Sequence, residues 1–279
     1  MNYRLHNNLD IPCIGFGTWK LKDGIAQQAV EFAIDKGYRH IDTAFAYGNE
    51  EYVGLAISKS SINRSELFVS GKLWNTERSY YKVINAFHET LKKLKLSYLD
   101  LYLIHWPASP AVHNNWHEIN TEVWRALEKL YLDGTVRAIG VCNFKKAHLE
   151  ALLKDADVMP MINQIEYHPG QLQPETVGFC KANNILVEAW SPLGSGKMLK
   201  VQALKEIAEK YNRSIAQICI RWCLQNSVLP LPKSKTHQRI AENINVFDFS
   251  IKEEDMITLN QMPYVGGSGL DSDSITIFG

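Results

Sequence analysis

Short apolar runs alternate with amphipathic stretches over almost the whole chain, and each pair reads as one strand followed by one helix. IGFGTW precedes a helical stretch from Asp23 to Asp35, where Ile25, Ala29, Val30, Ala33 and Ile34 recur at helix spacing before Gly37 ends it. HIDTA with a helix over Asn49–Lys59 forms a second unit. LFVSGKL with a helix through Val83, Ala86, Phe87, Leu91 and Leu94 forms a third, and LDLYLIHW with a helix from Glu118 to Leu132 a fourth. VRAIGV and KKAHLEALLKDA, MINQIEY and the helix after Pro174, ILVEAW and SIAQICIRWCLQN, and VLPLPKS and THQRIAENINVF complete the series. Two additional helices, VQALKEIAEKYN and KEEDMITLNQM, fall outside the alternation. YRLHNN and IPCIGFGTW, joined by a turn at Asn7–Asn8, predict a β-hairpin ahead of the first core strand.

Near-continuous apolar strands separated by helices demand a parallel sheet covered on both faces, and eight such units close into a (β/α)8 TIM barrel. An open doubly wound sheet would announce itself by G-x-G-x-x-G after its first strand, which G-F-G-T-W does not match. A chain of 279 residues suits one barrel, so residues 1–279 read as a single domain. Its tail, 263–279, begins with a Gly/Ser/Asp-rich half that is expected to be mobile and ends in ITIF, apolar enough to settle on the body.

Charge narrows the partners. With 30 basic and 30 acidic residues the chain offers no basic field for nucleic acid or an anionic membrane, which leaves small molecules. Five scattered cysteines without a C-x-x-C pair exclude a disulfide framework and a zinc ribbon and fit a reducing, cytoplasmic setting. No apolar run approaches the ~20 residues that span a bilayer, and MNYRLHNNLD has no signal core. The expected unit is a monomer.

Candidate chemistry gathers at strand ends, where barrels of this kind keep their active sites. Asp42 ends a strand in YRHIDTAFAYGNE, and Tyr47 follows it beside Gly48, where the backbone should turn. Lys72 closes LFVSGK and His105 closes LDLYLIH. A strand-end lysine can simply snorkel to solvent. Asp42 on the preceding strand offers instead to hold the ammonium charged inside the barrel, and the ammonium would draw the Tyr47 pKa below its ordinary ~10. A lone histidine is more often a satisfied core residue, but His105 stands beside Trp106 in HWP and could donate to a substrate oxygen. A phenol and an imidazole can polarise a carbonyl; the missing reagent is a hydride, which no side chain supplies. Trp19, Phe45, Trp74 and Trp106 are the candidate apolar lining of a substrate pocket. His113 and His117 share helical spacing but have no third ligand, so no metal site is expected.

GFGTW, GYRHIDTAFAYGNE, LFVSGKLW, YLDLYLIHWP, INQIEYHP, EAWSPLG and PKSKTHQRIAEN resemble, in this order, the motifs of the aldo-keto reductase superfamily. The short loops are most similar to its microbial branch of 2,5-diketo-D-gluconate reductases and broad-specificity aldehyde reductases. The resemblance implies that Asp42, Tyr47, Lys72 and His105 form a catalytic tetrad with Tyr47 as proton donor. It also implies NADPH/NADP+ bound across the barrel mouth, with Asn143 and Gln164 on the nicotinamide carboxamide and Trp190 stacked on the ring. Ser191, Leu193 and Ser195 fall in the loop over the pyrophosphate, Lys233, Ser234 and Arg239 at the 2′-phosphate, and Glu242 and Asn243 at the adenine. Two cations around a serine before a helix start would suit a phosphate on physical grounds alone. Cys142 stands where most of the family has serine, so one carboxamide contact is expected to weaken.

The expected activity is reduction of an aldehyde or ketone. A Schiff-base aldolase using Lys72 and an NADPH-binding redox sensor are the alternatives; an Asp42 partner counts against the first and a complete tetrad against the second.

Overall fold

A computed structural model describes residues 1–275. Strands β1 (Asn2–Arg4) and β2 (Asp10–Pro12) pair antiparallel, with Tyr3 opposite Ile11. Asn8 is left-handed at the turn, φ 66°, a conformation asparagine tolerates well. Asn7 Nδ2 donates to Arg137 O and His6 Nε2 meets Pro160 O, which lays the hairpin across the amino-terminal ends of the core strands.

Eight parallel strands pair in sequence order: β3 (Phe16–Gly17), β4 (His40–Asp42), β5 (Phe68–Leu73), β6 (Leu101–Ile104), β7 (Ile139–Cys142), β8 (Ile162–Glu166), β9 (Leu186–Trp190) and β10 (Leu229–Leu231). Gly15 N donates to Pro230 O and Gly17 N to Pro232 O, each at 3.1 Å, so the first and last strands meet and the barrel nearly closes. The helices are α1 (Asp23–Asp35), α2 (Glu50–Lys59), α3 (Tyr80–Leu94), α4 (Trp116–Leu132), α5 (Lys146–Leu153), α6 (Pro174–Ala182), α7 (Gln202–Lys210), α8 (Ile215–Gln225), α9 (His237–Ile244) and α10 (Glu253–Asn260). Among them α7 and α10 stand outside the strand–helix alternation.

The sequence pattern explains the layers. On α3, Val83, Phe87, Leu91 and Leu94 recur every three or four residues and are all buried, while the opposite face carries Lys82, Glu89 and Lys92. Burying a side chain such as Phe87 stabilises the fold by about 1.5–3 kcal/mol. Between strands the fit is tight: a Cβ at Gly140 would lie 2.5 Å from Ile162 O and 2.8 Å from Leu103 Cδ2, so β7 admits only glycine there. Helix α4 begins at Trp116, two residues before the expected start at Glu118.

All five cysteines are buried free thiols. No helix among the described residues is long and apolar enough to cross a membrane. After α10 the chain turns back over the carboxyl ends of the strands. Of the ITIF segment only Ile275 lies within the described residues, where it is buried beside Asn75, Pro107 and Ser109; Thr276, Ile277 and Phe278 lie outside them.

Candidate active site

Four elements bring Asp42, Tyr47, Lys72 and His105 together. Asp42 is the last residue of β4, Lys72 lies on β5, and His105 directly follows β6. Tyr47 ends a 3-10 turn over Phe45–Tyr47 that Gly48 closes in the left-handed conformation, φ 64°, open to glycine without steric cost.

Lys72 Nζ is wholly buried and sits 2.7 Å from both Asp42 carboxylate oxygens. Its remaining donor capacity goes to Thr43 O at 3.2 Å and the Tyr47 hydroxyl at 3.3 Å. Burial alone would strip the lysine of its proton, but the Asp42 charge outweighs it and holds the Lys72 pKa above the ordinary lysine value. Asp42 Oδ1 accepts further from Ser70 Oγ at 3.2 Å, and His40 stands behind Ser70 at 3.0 Å. Burial pushes the His40 pKa down to about 4, so this backing layer is neutral.

Tyr47 differs from the expectation. Desolvation raises its pKa above the ordinary tyrosine value; the Lys72 ammonium pulls downwards, but less strongly. A phenol packed against rings loses more by ionising in a dry site than one ammonium, already neutralised by Asp42, can return. His105 is held well below the usual imidazole range, by burial first and by Lys72 second, so it is neutral at pH 7. Its ring is edge-on to Tyr47, with centroids 5.7 Å apart, and to Trp74 at 5.5 Å.

The four candidate pocket aromatics separate. Trp74 lies against His105, and buried Trp106 lines a cavity of about 80 Å³ together with Asn143, Ile165 and Trp190. Trp19 is exposed, with Lys20 Nζ over its ring at 4.1 Å. Phe45 is not brought to this cluster: its ring lies 4.0 Å from Lys93 Nζ on α3, because the 3-10 turn directs it to the helical layer. Alternation along the strand does not continue through a 3-10 turn, so sequence position misplaced it.

The residues assigned to the cofactor fall into three groups along the mouth. Asn143 and Gln164 end the first group. Asn143 is left-handed, φ 64°, with Nδ2 on His105 O at 3.0 Å and Oδ1 accepting from Trp190 Nε1 at 2.8 Å. Cys142 accepts from Asn143 Nδ2 at 3.2 Å and donates to Gln164 Oε1 at 3.8 Å, a sulfur-length bond, while burial keeps the thiol protonated. In the loop after β9, Ser191 and Ser195 are also left-handed, and Ser191 Oγ accepts from Ser195 N at 2.7 Å, leaving Leu193 between them. Residues held in this region by their surroundings cluster at ligand sites.

The third group stands at the start of α9. Ser234 Oγ accepts from Thr236 N at 3.0 Å. Burial lowers the Lys233 pKa, and Lys20 and Lys235 lower it further, so cations crowd here. None of Lys20, Lys233, Lys235 and Arg239 has a carboxylate within 4.0 Å among the described residues. Glu242 and buried Asn243 follow on the same helix.

Sequence reasoning missed two features. One is Glu188 on β9, wholly buried and bonded to Gln164 Nε2 at 2.9 Å, whose pKa burial and the Asp42 charge push up to about 8. An acid inside the apolar run ILVEAW was the available signal. The other is the tail, whose Gly/Ser/Asp half is tied down rather than mobile, because its own polar side chains find partners at the mouth: Ser268 binds both Glu166 oxygens, Ser272 Oγ donates to Asn143 O, and Lys145 Nζ meets Asp271 at 2.7 Å and Asp273 at 2.6 Å.

Residues 13–262 match the Aldo/keto reductase family. The chain is 48% identical over 254 residues to the glyoxal reductase of Bacillus subtilis (strain 168), covering 91% of this chain and 89% of that protein. Among solved structures, an aldo-keto reductase from a Medee basin deep-sea metagenome library superposes with a TM-score of 0.93 at 42% identity, covering 98% and 99% of the two chains. A mutant of Gox0644 in complex with NADPH superposes at 0.92 with 38% identity, covering 99% and 98%.

Proposed function

This chain belongs to the aldo/keto reductase family, and we propose that it reduces the carbonyl of a small aldehyde, ketone or 1,2-dicarbonyl to an alcohol. The observation that carries this reading is the wholly buried Asp42–Lys72 pair with the Tyr47 hydroxyl 3.3 Å from the ammonium and a neutral imidazole alongside. Bound NADPH supplies the hydride. Tyr47 gives its proton to the carbonyl oxygen as negative charge develops there. Its raised pKa keeps the phenol protonated until that moment, and Lys72 then faces the phenolate with a charge that Asp42 has held in place. Neutral His105 serves as a hydrogen-bond donor that orients the oxygen without competing for the proton.

The mouth has residues suited to the whole cofactor. Asn143, Gln164 and Trp190 would hold the nicotinamide, and Ser191, Leu193 and Ser195 the pyrophosphate. Lys233, Ser234 and Arg239 would take the 2′-phosphate, with Glu242 and Asn243 at the adenine. The unpaired cations favour the phosphorylated cofactor, because each charge-assisted bond to a phosphate contributes about 1.5–3 kcal/mol. The aldolase reading fails on Lys72: a lysine held protonated by two carboxylate oxygens at 2.7 Å has no free lone pair for a carbonyl carbon.

The substrate class follows the similarity to glyoxal reductase. Purified protein is expected to oxidise NADPH with glyoxal and short aldehydes, and Tyr47→Phe to lose ~10²–10⁴-fold in kcat while still binding NADPH. Near wild-type turnover by Tyr47→Phe would remove the proton-donor assignment.

A further inference from the structure

Glu188 is a second acid inside the barrel that the reaction above does not use. It faces Gln164 across the parallel β8–β9 register, and its side chain has no exposed surface. Its Oε2 accepts from Gln164 Nε2 at 2.9 Å, and Oε1 has no partner. The same amide nitrogen donates to Asp42 Oδ1 at 3.1 Å. Two acids therefore share the two hydrogens of one amide.

That sharing decides which way the amide points. Turned over, Gln164 would set its carbonyl oxygen against the Asp42 carboxylate, acceptor facing acceptor, in place of the present N–H contact, and would withdraw the second N–H from Glu188 Oε2. With the nitrogen committed, Oε1 is directed to the other side, towards Cys142 Sγ at 3.8 Å and the neighbouring Asn143 that lines the cavity. Asp42 alone would occupy one amide hydrogen and leave the second unpaired. The proton that Glu188 retains at neutral pH fits this arrangement: Asp42, Lys72 and Cys142 are the titratable groups around it, and Lys72 is already neutralised by Asp42.

We propose that Glu188 is a positioning residue which, by binding the Gln164 amide nitrogen together with Asp42, presents the Gln164 carbonyl oxygen as the acceptor for the nicotinamide carboxamide N–H. This rests on the reading that Gln164 meets that carboxamide. It makes Glu188 a determinant of cofactor affinity without contact with cofactor or substrate.

The test is a double-mutant cycle read as NADPH dissociation constants, by quenching of tryptophan fluorescence. Glu188→Met removes the acceptor at similar volume and is expected to weaken NADPH about fivefold, the worth of one oriented hydrogen bond. Glu188→Gln, whose own carbonyl can accept from Gln164, is expected to restore the affinity to about the wild-type value. In a Gln164→Ala background the Glu188→Met effect should vanish, because the residue through which it acts is gone. Equal losses in both backgrounds, or failure of Glu188→Gln to rescue, would overturn the proposal. Wild-type affinity in Gln164→Ala would also overturn it. Continued NADPH-dependent carbonyl reduction by that variant would show that the reductase reading stands apart from this one.

Discussion

The two ends of the barrel each bury an aspartate among cations, and they treat it in opposite ways. At the amino end, Asp100 is fully buried and bound by Arg64 and Arg137 at 2.7 Å each and by Val69 N at 2.9 Å. Both arginines reach solvent, the first 20% and the second 44% exposed, so their charge is shared between the aspartate and water. At the carboxyl end Asp42 faces a lysine with no exposure at all, and the ammonium is shared with a phenol. Around it lie buried polar atoms without a partner, His105 Nδ1 and Glu188 Oε1 among them. Left-handed Asn143, Ser191 and Ser195 gather at the same end. At the floor the Asp100 carboxylate is satisfied, although Arg64 Nε beside it has no partner, and the network serves stability; the mouth leaves His105 Nδ1 and Glu188 Oε1 unsatisfied beside the reacting groups, which a folded chain tolerates where a ligand completes the site.

The sharpest way to break this comparison is to remove one charge from each end. Lys72→Met should abolish carbonyl reduction, because the phenolate loses its counter-charge and Asp42 is left unpaired. Asp100→Asn should instead destabilise the fold by about 3 kcal/mol, the low end for losing one partner of a buried ion pair since both arginines can rehydrate, while kcat of the folded protein stays near wild type. Denaturant unfolding beside steady-state kinetics reads both. Comparable kcat losses in the two variants would erase the distinction.

A smaller effect separates the cations. Arg64 and Arg137 already have a carboxylate; Arg239 has none within 4.0 Å among the described residues and awaits an anion. Arg239→Ala is expected to weaken NADPH by about tenfold or more, the equivalent of one charge-assisted bond, and to leave NADH almost unchanged. Equal losses for both cofactors would place Arg239 elsewhere than at the 2′-phosphate. Rising salt should weaken NADPH in the wild type more than in this variant.

The smallest expected effect lies in the tail, which ties the mouth with half-exposed ion pairs. Lys145, Asp271 and Asp273 are 36%, 50% and 49% exposed, and pairs of that kind contribute about 0–1 kcal/mol each. Ending the chain after Gly269 should barely shift the melting temperature but alter relative kcat/KM among substrates, since Ser272 is bonded to Asn143 and Leu270 lines the cavity. Unchanged preference across substrates would show that the tail only covers the mouth.

Periodicity made the barrel legible because a strand buried on both faces must be apolar throughout and its helix amphipathic, and that demand is local. The eight units, the hairpin and both additional helices follow from it. So do the positions of Asp42, Lys72 and His105, since a charged or titratable residue closing an apolar strand stands out by composition. Three matters needed the folded chain. The Phe45 ring turned to Lys93, because a 3-10 turn ends the strand's alternation. Tyr47 rose in pKa rather than falling, because desolvation depends on packing from all sides while the sequence shows only the nearby cation. Glu188 acquired its partners from Gln164 on the preceding strand and, through that amide, from Asp42 across the barrel. Which side chains share a buried hydrogen is set by closure of the sheet, and no run of neighbouring residues records it.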